Sequence, residues 1–243
     1  MSKQQTFGRF VVVSLGVAML ALLYQPVAKA DGSKEEARVT DAGHVIKDLT
    51  QSSNGIPMGI LKKSECVIVL PAVKKVGFIV GASYGRGVMT CRTGSNFTGP
   101  WSAPTMMQST GGSFGLQAGG QSTDFVILVV NDAGARALLK GKVKLGADAS
   151  VAAGPVGRAA EASTNAVMSA EMLSYSRSQG VFAGVSLSGA TLGPDGGANE
   201  NLYGKKISAT EIIQKHAVPV PASAHELLAV LTAKSPGNHS KAK

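Results

Sequence analysis

Between residues 34 and 52 the apolar positions Val39, Ala42, Ile46 and Leu49 fall three or four apart. That spacing puts them on one face of a helix, and predicts an amphipathic helix over KEEARVTDAGHVIKDLTQS. Its other face mixes Lys34, Arg38 and Lys47 with Glu35, Glu36, Asp41 and Asp48. A helix lying on an anionic membrane carries an excess of Lys and Arg there, so this balance predicts a helix docked on its own domain. Asn54-Gly55 ends it, and Pro57 suits the first turn of a short second helix, PMGILKKS.

From Cys66 onward the pattern changes to short runs bounded by Gly, Pro, Asn, Asp or Ser: CVIVLP, VGFIVGAS, GVMTCR, APTMMQ, GSFGLQAG, TDFVILVV, KLGADASVA, MLSYSRS and FAGVSLSG. These predict strands of an antiparallel sheet, with TDFVILVV, apolar almost throughout, covered on both faces. Residues 132 to 140, DAGARALLK, form the one helical interruption, closed by Gly141. After Gln214, Val-Pro-Val-Pro predicts an extended linker, AHELLAVL a short helix and SPGNHSKAK a frayed basic tail. The expected domain therefore spans residues 31–214, with linker and tail at 215–243. Helices segregated from strands define an α+β fold.

The stretch GGSFGLQAGGQSTDFVILVVN, residues 111 to 131, sets many glycines directly against the most strand-like run. Gly111 to Gly115 around Ser113, and Gly81 to Gly85 around Ser83, both fit G-x-S-x-G. A hydrolase nucleophile sits on a strand-to-helix turn, and neither serine is followed by a helix-forming segment. The histidines, His44, His216, His225 and His239, lie at the periphery, and no P-loop or dinucleotide fingerprint has its required context. No catalytic residues, no cofactor and no metal site are expected. With 30 glycines in the chain, the structural explanation is preferred: glycines let strands bend and approach closely. The sheet is then strongly curved and Gly-rich, curling toward a barrel, with the N-terminal helices packed on it.

Residues 1–30 hold Lys3 and Arg9, an apolar run from Phe10 to Tyr24, and Ala28-Lys29-Ala30. This is the layout of a cleaved secretory signal peptide, and the run is short for a membrane span. The expectation is an exported protein, periplasmic or secreted, starting near Asp31. Removing Lys3, Arg9 and Lys29, and no acid, lowers the net charge from +9 to +6. Residues 55 to 100 are the most one-sided segment: Lys62, Lys63, Lys74, Lys75, Arg86 and Arg92 against Glu65 alone. Such a segment is either a solvated face or a docking surface for anionic headgroups or nucleic acid, and export argues against nucleic acid. Cys66 and Cys91 either form a disulfide, worth about 3 kcal/mol in the chain-entropy model, or remain small buried thiols.

The order of these segments resembles one family, the SYLF domain. The resemblance rests on IPMGILKKSECVIVLPAVKKVGFIVGASYGRGVMTCR (56–92), PWSAPTMMQSTGGSFGLQAGGQSTDFVILVVND (100–132), GKVKLGADASVAAGPVGRAAEA (141–162), SYSRSQGVFAGVSLSGATL (174–192) and NLYGKK (201–206), and covers nearly all of residues 35–214. It implies a non-enzymatic, membrane-associated module that binds phosphoinositides or other anionic phospholipids, described as actin-binding in fungal members. Because the first helix here is not basic, lipid contact is expected to shift to Lys62, Lys63, Lys74 and Lys75, with Arg86, Arg92 and an interfacial Trp101; Trp101 otherwise packs between Pro100 and Pro104. An exported protein meets neither actin nor an abundant phosphoinositide pool. Phosphatidylglycerol or cardiolipin headgroups are thus the expected partners, with actin and nucleic acid excluded and a protein partner unassigned. The readings from other classes are an envelope interaction protein without lipid preference and a serine hydrolase.

Overall fold

The apolar stripe at 39, 42, 46 and 49 does form one face of a helix, α1 (Gly32–Gln51), with Val45 added to the buried set. The computed structural model describes residues 32–52, 55–77, 80–114, 119–156, 169–178, 181–185 and 187–240. The expected signal peptide lies outside them, and residues 31–243 form one unit. After α1 comes α2 (Met58–Lys63), which has Pro57 at its N-cap and no side-chain cap. The amides of Ile60 and Leu61 donate to the Pro57 carbonyl at 3.0 and 3.2 Å.

Among the described residues nine strands follow: β1 (Cys66–Gly77), β2 (Val80–Cys91), β3 (Thr105–Phe114), β4 (Gly119–Val129), β5 (Val143–Lys144), β6 (Val151–Ala153), β7 (Met172–Ser178), β8 (Val181–Gly184) and β9 (Thr191–Pro194). They make one sheet in the order β5-β9-β3-β2-β1-β4-β7-β6, with β8 on β7, and among the described strands only β6 and β7 pair in parallel. The sheet curls into a half-barrel, as the glycine content predicts. The remaining helices are α3 (Asp132–Lys140), α4 (Gly196–Tyr203), α5 (Ala209–Ile213) and α6 (His225–Lys234).

Side chains alternate along the central strands, and both faces are covered. Val67 and Val69 of β1 join Val126, Leu128 and Tyr175 in a core with α1, α2 and α6. Ile68 and Leu70 join Phe125, Ile127 and Val129 in a second core with α3 and α5. This two-sided burial is why CVIVL and FVILVV are apolar without alternation.

Glycine has a specific task beside the bulge in β1. Pro71 has no N–H to give to a central strand, and β1 accommodates it with one extra residue: five steps from Val69 to Lys74 face four from Val88 to Tyr84. Ala72 takes φ 51° there, a left-handed conformation unfavourable for a residue with a Cβ. Its amide donates to Asp124 Oδ1 at 2.9 Å. Across from the bulge a Cβ on Gly87 would stand 1.9 Å from the Val69 carbonyl oxygen, and one on Gly85 2.5 Å from a Val73 methyl.

Asp124 also accepts from Arg177 Nε at 2.7 Å, and Arg177 reaches on to Asp48 of α1. Burial works against the Arg177 charge, yet its hydrogen bonds and charge pairing with Asp124 and Asp48 hold its pKa above the ordinary arginine value. One carboxylate therefore holds the bulge and, through Arg177, ties α1 to the sheet. Asp124→Ala is expected to lower stability by about 2 kcal/mol, because it strips charged hydrogen bonds from two partners. Urea unfolding read by circular dichroism checks this, and an unchanged midpoint would refute the bracing role.

Two sequence-based expectations are corrected. Helices α4 and α5 fall in a stretch where none was expected: Asp195 caps α4, accepting from the Ala198 amide at 3.1 Å, and Ser208 with Glu211 forms a capping box on α5. The segment expected as linker and frayed tail is part of the domain. Leu227 and Leu231 of α6 are fully buried, and Lys47 of α1 bonds Glu226 at 2.9 Å. A Cβ on Gly43 would lie 3.1 Å from the Leu227 nitrogen, so α1 and α6 cross closely.

Candidate functional site

At the start of β1 the register sets Cys66 directly opposite Cys91 on β2, and the two are disulfide-bonded. Next to this bridge lies Arg92, 1% exposed, its guanidinium 4.0 Å from the centroid of the Trp101 ring. Residues 235–239 close over the pair. Arg92 Nη2 donates to the Ser235 hydroxyl at 2.8 Å and also to its carbonyl, Nη1 donates to the Pro236 carbonyl at 3.3 Å, and Trp101 Nε1 donates to the Ser235 carbonyl at 3.2 Å. Burial pulls the Arg92 pKa down to about 10. Arg92, expected at a lipid surface, and Trp101, expected either at the interface or packed in the domain, are thus interior residues seated under the C-terminal segment. Their aromatic and cationic groups are spent on holding it.

The four lysines do not form one patch. Lys62 and Lys63 end α2 beside the disulfide end of β1, half-buried, and the Lys62 carbonyl accepts from the His239 amide at 2.7 Å. Lys74 and Lys75 lie toward the other end of β1, where the strand turns into β2. As neighbours on a strand they point to opposite faces. Lys75 stands 5.4 Å from the Phe125 ring centroid, while Lys74 faces α1.

On the Lys74 side the structure brings together residues from three elements. Lys34, Ala37, Arg38 and Asp41 of α1 face Pro71, Ala72 and Lys74 of β1 and Tyr84, Gly85 and Arg86 of β2, around an open cleft of about 350 Å³. Arg38 pairs with Glu35 behind it. Arg86 Nε lies 3.1 Å from Asp195 Oδ2, close enough for an ion pair but outside hydrogen-bond geometry. Burial opposes the Arg86 charge, and Asp195, Tyr84 and Glu35 outweigh it, leaving the pKa above the ordinary arginine value. Tyr84 is 47% exposed, with Arg86 at 5.9 Å from its ring. Sequence reasoning passed over Lys34 and Arg38 because α1 as a whole is not basic. Their i, i+4 spacing, which puts both on one side of the helix, was the available signal.

Ser83 sits within β2, and its hydroxyl donates to the Gly111 carbonyl at 3.3 Å. Ser113 lies on β3, paired with Gly81, and its side chain is outside the described set. Neither serine occupies the strand-to-helix turn of a nucleophile elbow. Among the described residues no group of three or more His, Cys, Asp or Glu could hold a metal, and no helix is long and apolar enough to cross a membrane.

The domain is a curled sheet covered by helices on both faces, with an open cleft between α1 and the β1–β2 pair. The chain belongs to the Ysc84 family, described as "Las17-binding protein actin regulator", which it matches over residues 110–234. It is 37% identical over 182 residues to an SH3 domain-containing protein of Schizosaccharomyces pombe, covering 74% of this chain and 41% of that protein. It is 33% identical over 183 residues to Protein YSC84 of Saccharomyces cerevisiae, covering 74% and 38%, and 34% identical over 205 residues to the SH3 domain-containing YSC84-like protein 1 of Mus musculus, covering 82% and 58%. The chain thus spans between about two fifths and three fifths of the length of these relatives. The expected partner set, headgroups with actin excluded on grounds of export, is corrected by these names. Las17 and actin are proteins, and they are the partners the family description carries.

Proposed function

We propose that this chain is a non-enzymatic module that associates peripherally with anionic phospholipid surfaces. One observation supports the reading most: the only acid of residues 55–100, Glu65, is 1% exposed, so the charge this segment turns to solvent is positive. Each Lys or Arg close to an anionic surface contributes about 1 kcal/mol, screened within a Debye length. Attachment is therefore weak and salt-sensitive.

Sedimentation of the protein with phosphatidylcholine and with phosphatidylglycerol vesicles across a salt series tests this. Binding is expected to anionic vesicles alone and to fade as salt rises. Reversal of Lys62, Lys63, Lys74 and Lys75 to Glu is expected to weaken it by more than about 100-fold with an unchanged circular dichroism spectrum; retained binding would refute the assignment. The same reading takes residues 1–30 as an export signal that places the module at the cell envelope. A protein isolated from its own cells that begins at Asp31 would agree, and one that keeps Met1 would not.

A second reading is favoured by the family description: the domain docks on a protein of the actin-regulatory machinery. Co-sedimentation with actin filaments, without any preference among vesicles, would select it.

A further inference from the structure

Residues 222–240, helix α6 with the turn before it and the segment after it, are held by parts of the chain far from them in sequence. Ala224, Leu227 and Leu231 join the stripe of α1 in one core. Glu226 meets Lys47 at 2.9 Å and His44 at 3.2 Å. Beyond the helix, Arg92 and Trp101 hold Ser235, the Ser235 hydroxyl donates to the Leu61 carbonyl at 3.3 Å, and the His239 amide reaches the Lys62 carbonyl. The same arm brought by a second copy would meet every one of these groups. What ties the arm to its own body is residues 215–221, Lys-His-Ala-Val-Pro-Val-Pro, which lie in no helix or strand. Val220 is 39% exposed, one of two exposed large apolar side chains among the described residues. Ala217 is held only at the surface, its carbonyl accepting from Lys205 Nζ at 2.9 Å and its amide donating to the Glu211 carbonyl at 3.1 Å. Beside it His216 takes φ 51°, in the left-handed region.

We propose that two copies of this chain exchange residues 222–240, each arm closing on α1 and on the Arg92–Trp101 seat of the other, with residues 215–221 as a hinge strained at His216. Closed and exchanged forms share the same arm contacts, so their balance rests on the hinge and on concentration. A short tether presents the arm to its own seat at an effective concentration of about 1 mM, and an unstrained hinge would keep the chain monomeric below that. His216 changes the balance. The left-handed conformation disfavours a residue with a Cβ by about five-fold or more, and it serves here to turn the chain back from α5 toward α1 of the same copy. Water replaces the two bonds at Ala217 on opening, as it does at exposed helix ends. Relief at both hinges lowers the dissociation constant of the dimer by about 25-fold, to about 40 µM. The exchange goes beyond the anionic-surface reading and stands whichever partner the domain docks on.

Light scattering behind size exclusion, across a concentration series of the full chain, is expected to show monomer at about 1 µM and rising dimer through about 40 µM. His216→Gly, which adopts that φ without strain, is expected to weaken the dimer by about 25-fold. Gly43→Cys with Glu226→Cys reads the geometry directly. A Cβ on Gly43 would lie 3.5 Å from the Glu226 Cβ, within reach of a disulfide, and the native cysteines are already bridged. After oxidation the dimer fraction should run as linked pairs of chains on a non-reducing gel, and the monomer fraction as single chains. Chains that stay monomeric up to about 1 mM overturn the exchange. So does a dimer whose oxidised cysteine variant runs as single chains with no free thiol, the mark of a contact between two closed copies. A dimer of unchanged strength in His216→Gly overturns it as well, and that test stands even if the cysteine variant fails to fold.

Discussion

Gly87→Ala is expected to cost about 3 kcal/mol or more, the upper end for overpacking, and to leave little folded protein at 37 °C. The methyl group would be built 1.9 Å from the Val69 carbonyl oxygen and 2.8 Å from the Leu70 Cα. Both are backbone atoms, so no rotamer change relieves the contact. Nor can β1 retreat, because it is hydrogen-bonded to β2 on one side and β4 on the other, with the Pro71–Ala72 bulge fixing its path. Gly112→Ala is the control: its Cβ would meet nothing within 4 Å, and a change within about 0.5 kcal/mol is expected for an open surface site. Equal urea midpoints for the two variants would show that the close approach of β1 to β2 does not govern stability.

Cys66→Ala with Cys91→Ala is the second large effect. The bridge spans 25 residues of sequence, and a loop of that length is worth about 3.5 kcal/mol in the chain-entropy model. Both thiol positions are fully buried, so the two truncations add lost packing to the lost cross-link. The wild type unfolded under reducing conditions should approach the double variant. If the oxidised wild type and the variant unfold at the same urea concentration, the bridge contributes nothing to the folded state.

The sequence showed the elements whose burial is periodic or continuous, and the structure bears these out: α1 through its stripe, and β1 and β4 through apolar runs that need cover on both sides. Glycine-permitted close approach was legible as a general expectation, and it resolves at Gly85 and Gly87 because the bulge of β1 at Pro71–Ala72 lies directly against β2 there. Helix α4 was hidden for a physical reason. GGANENLY has almost no apolar face, and the helix is held instead by the Asp195 cap and by Asn199, whose Oδ1 accepts from the Met106 amide at 2.7 Å. Helix α5 did carry a visible S-x-x-E signal at Ser208 and Glu211. For the candidate site, charge counting favoured Arg92, since arginine is rarely buried. Nothing local reveals that its acceptors lie 143 residues away at Ser235. Lys34 and Arg38 were obscured by averaging the charge of a helix over all of its faces.

The crossing of α1 with α6 has a consequence for how the chain acquires its structure. The first helix of the domain leaves the ribosome long before the helix that covers it, with 173 residues between Gln51 and His225. Contacts of such sequence separation form late and slow folding. Throughout synthesis the stripe of Val39, Ile46 and Leu49 therefore waits without Leu227 and Leu231, and the domain is completed only when its last helix is released. A stalled or shortened chain would expose apolar surface at its oldest end, where a chaperone would be expected to hold it.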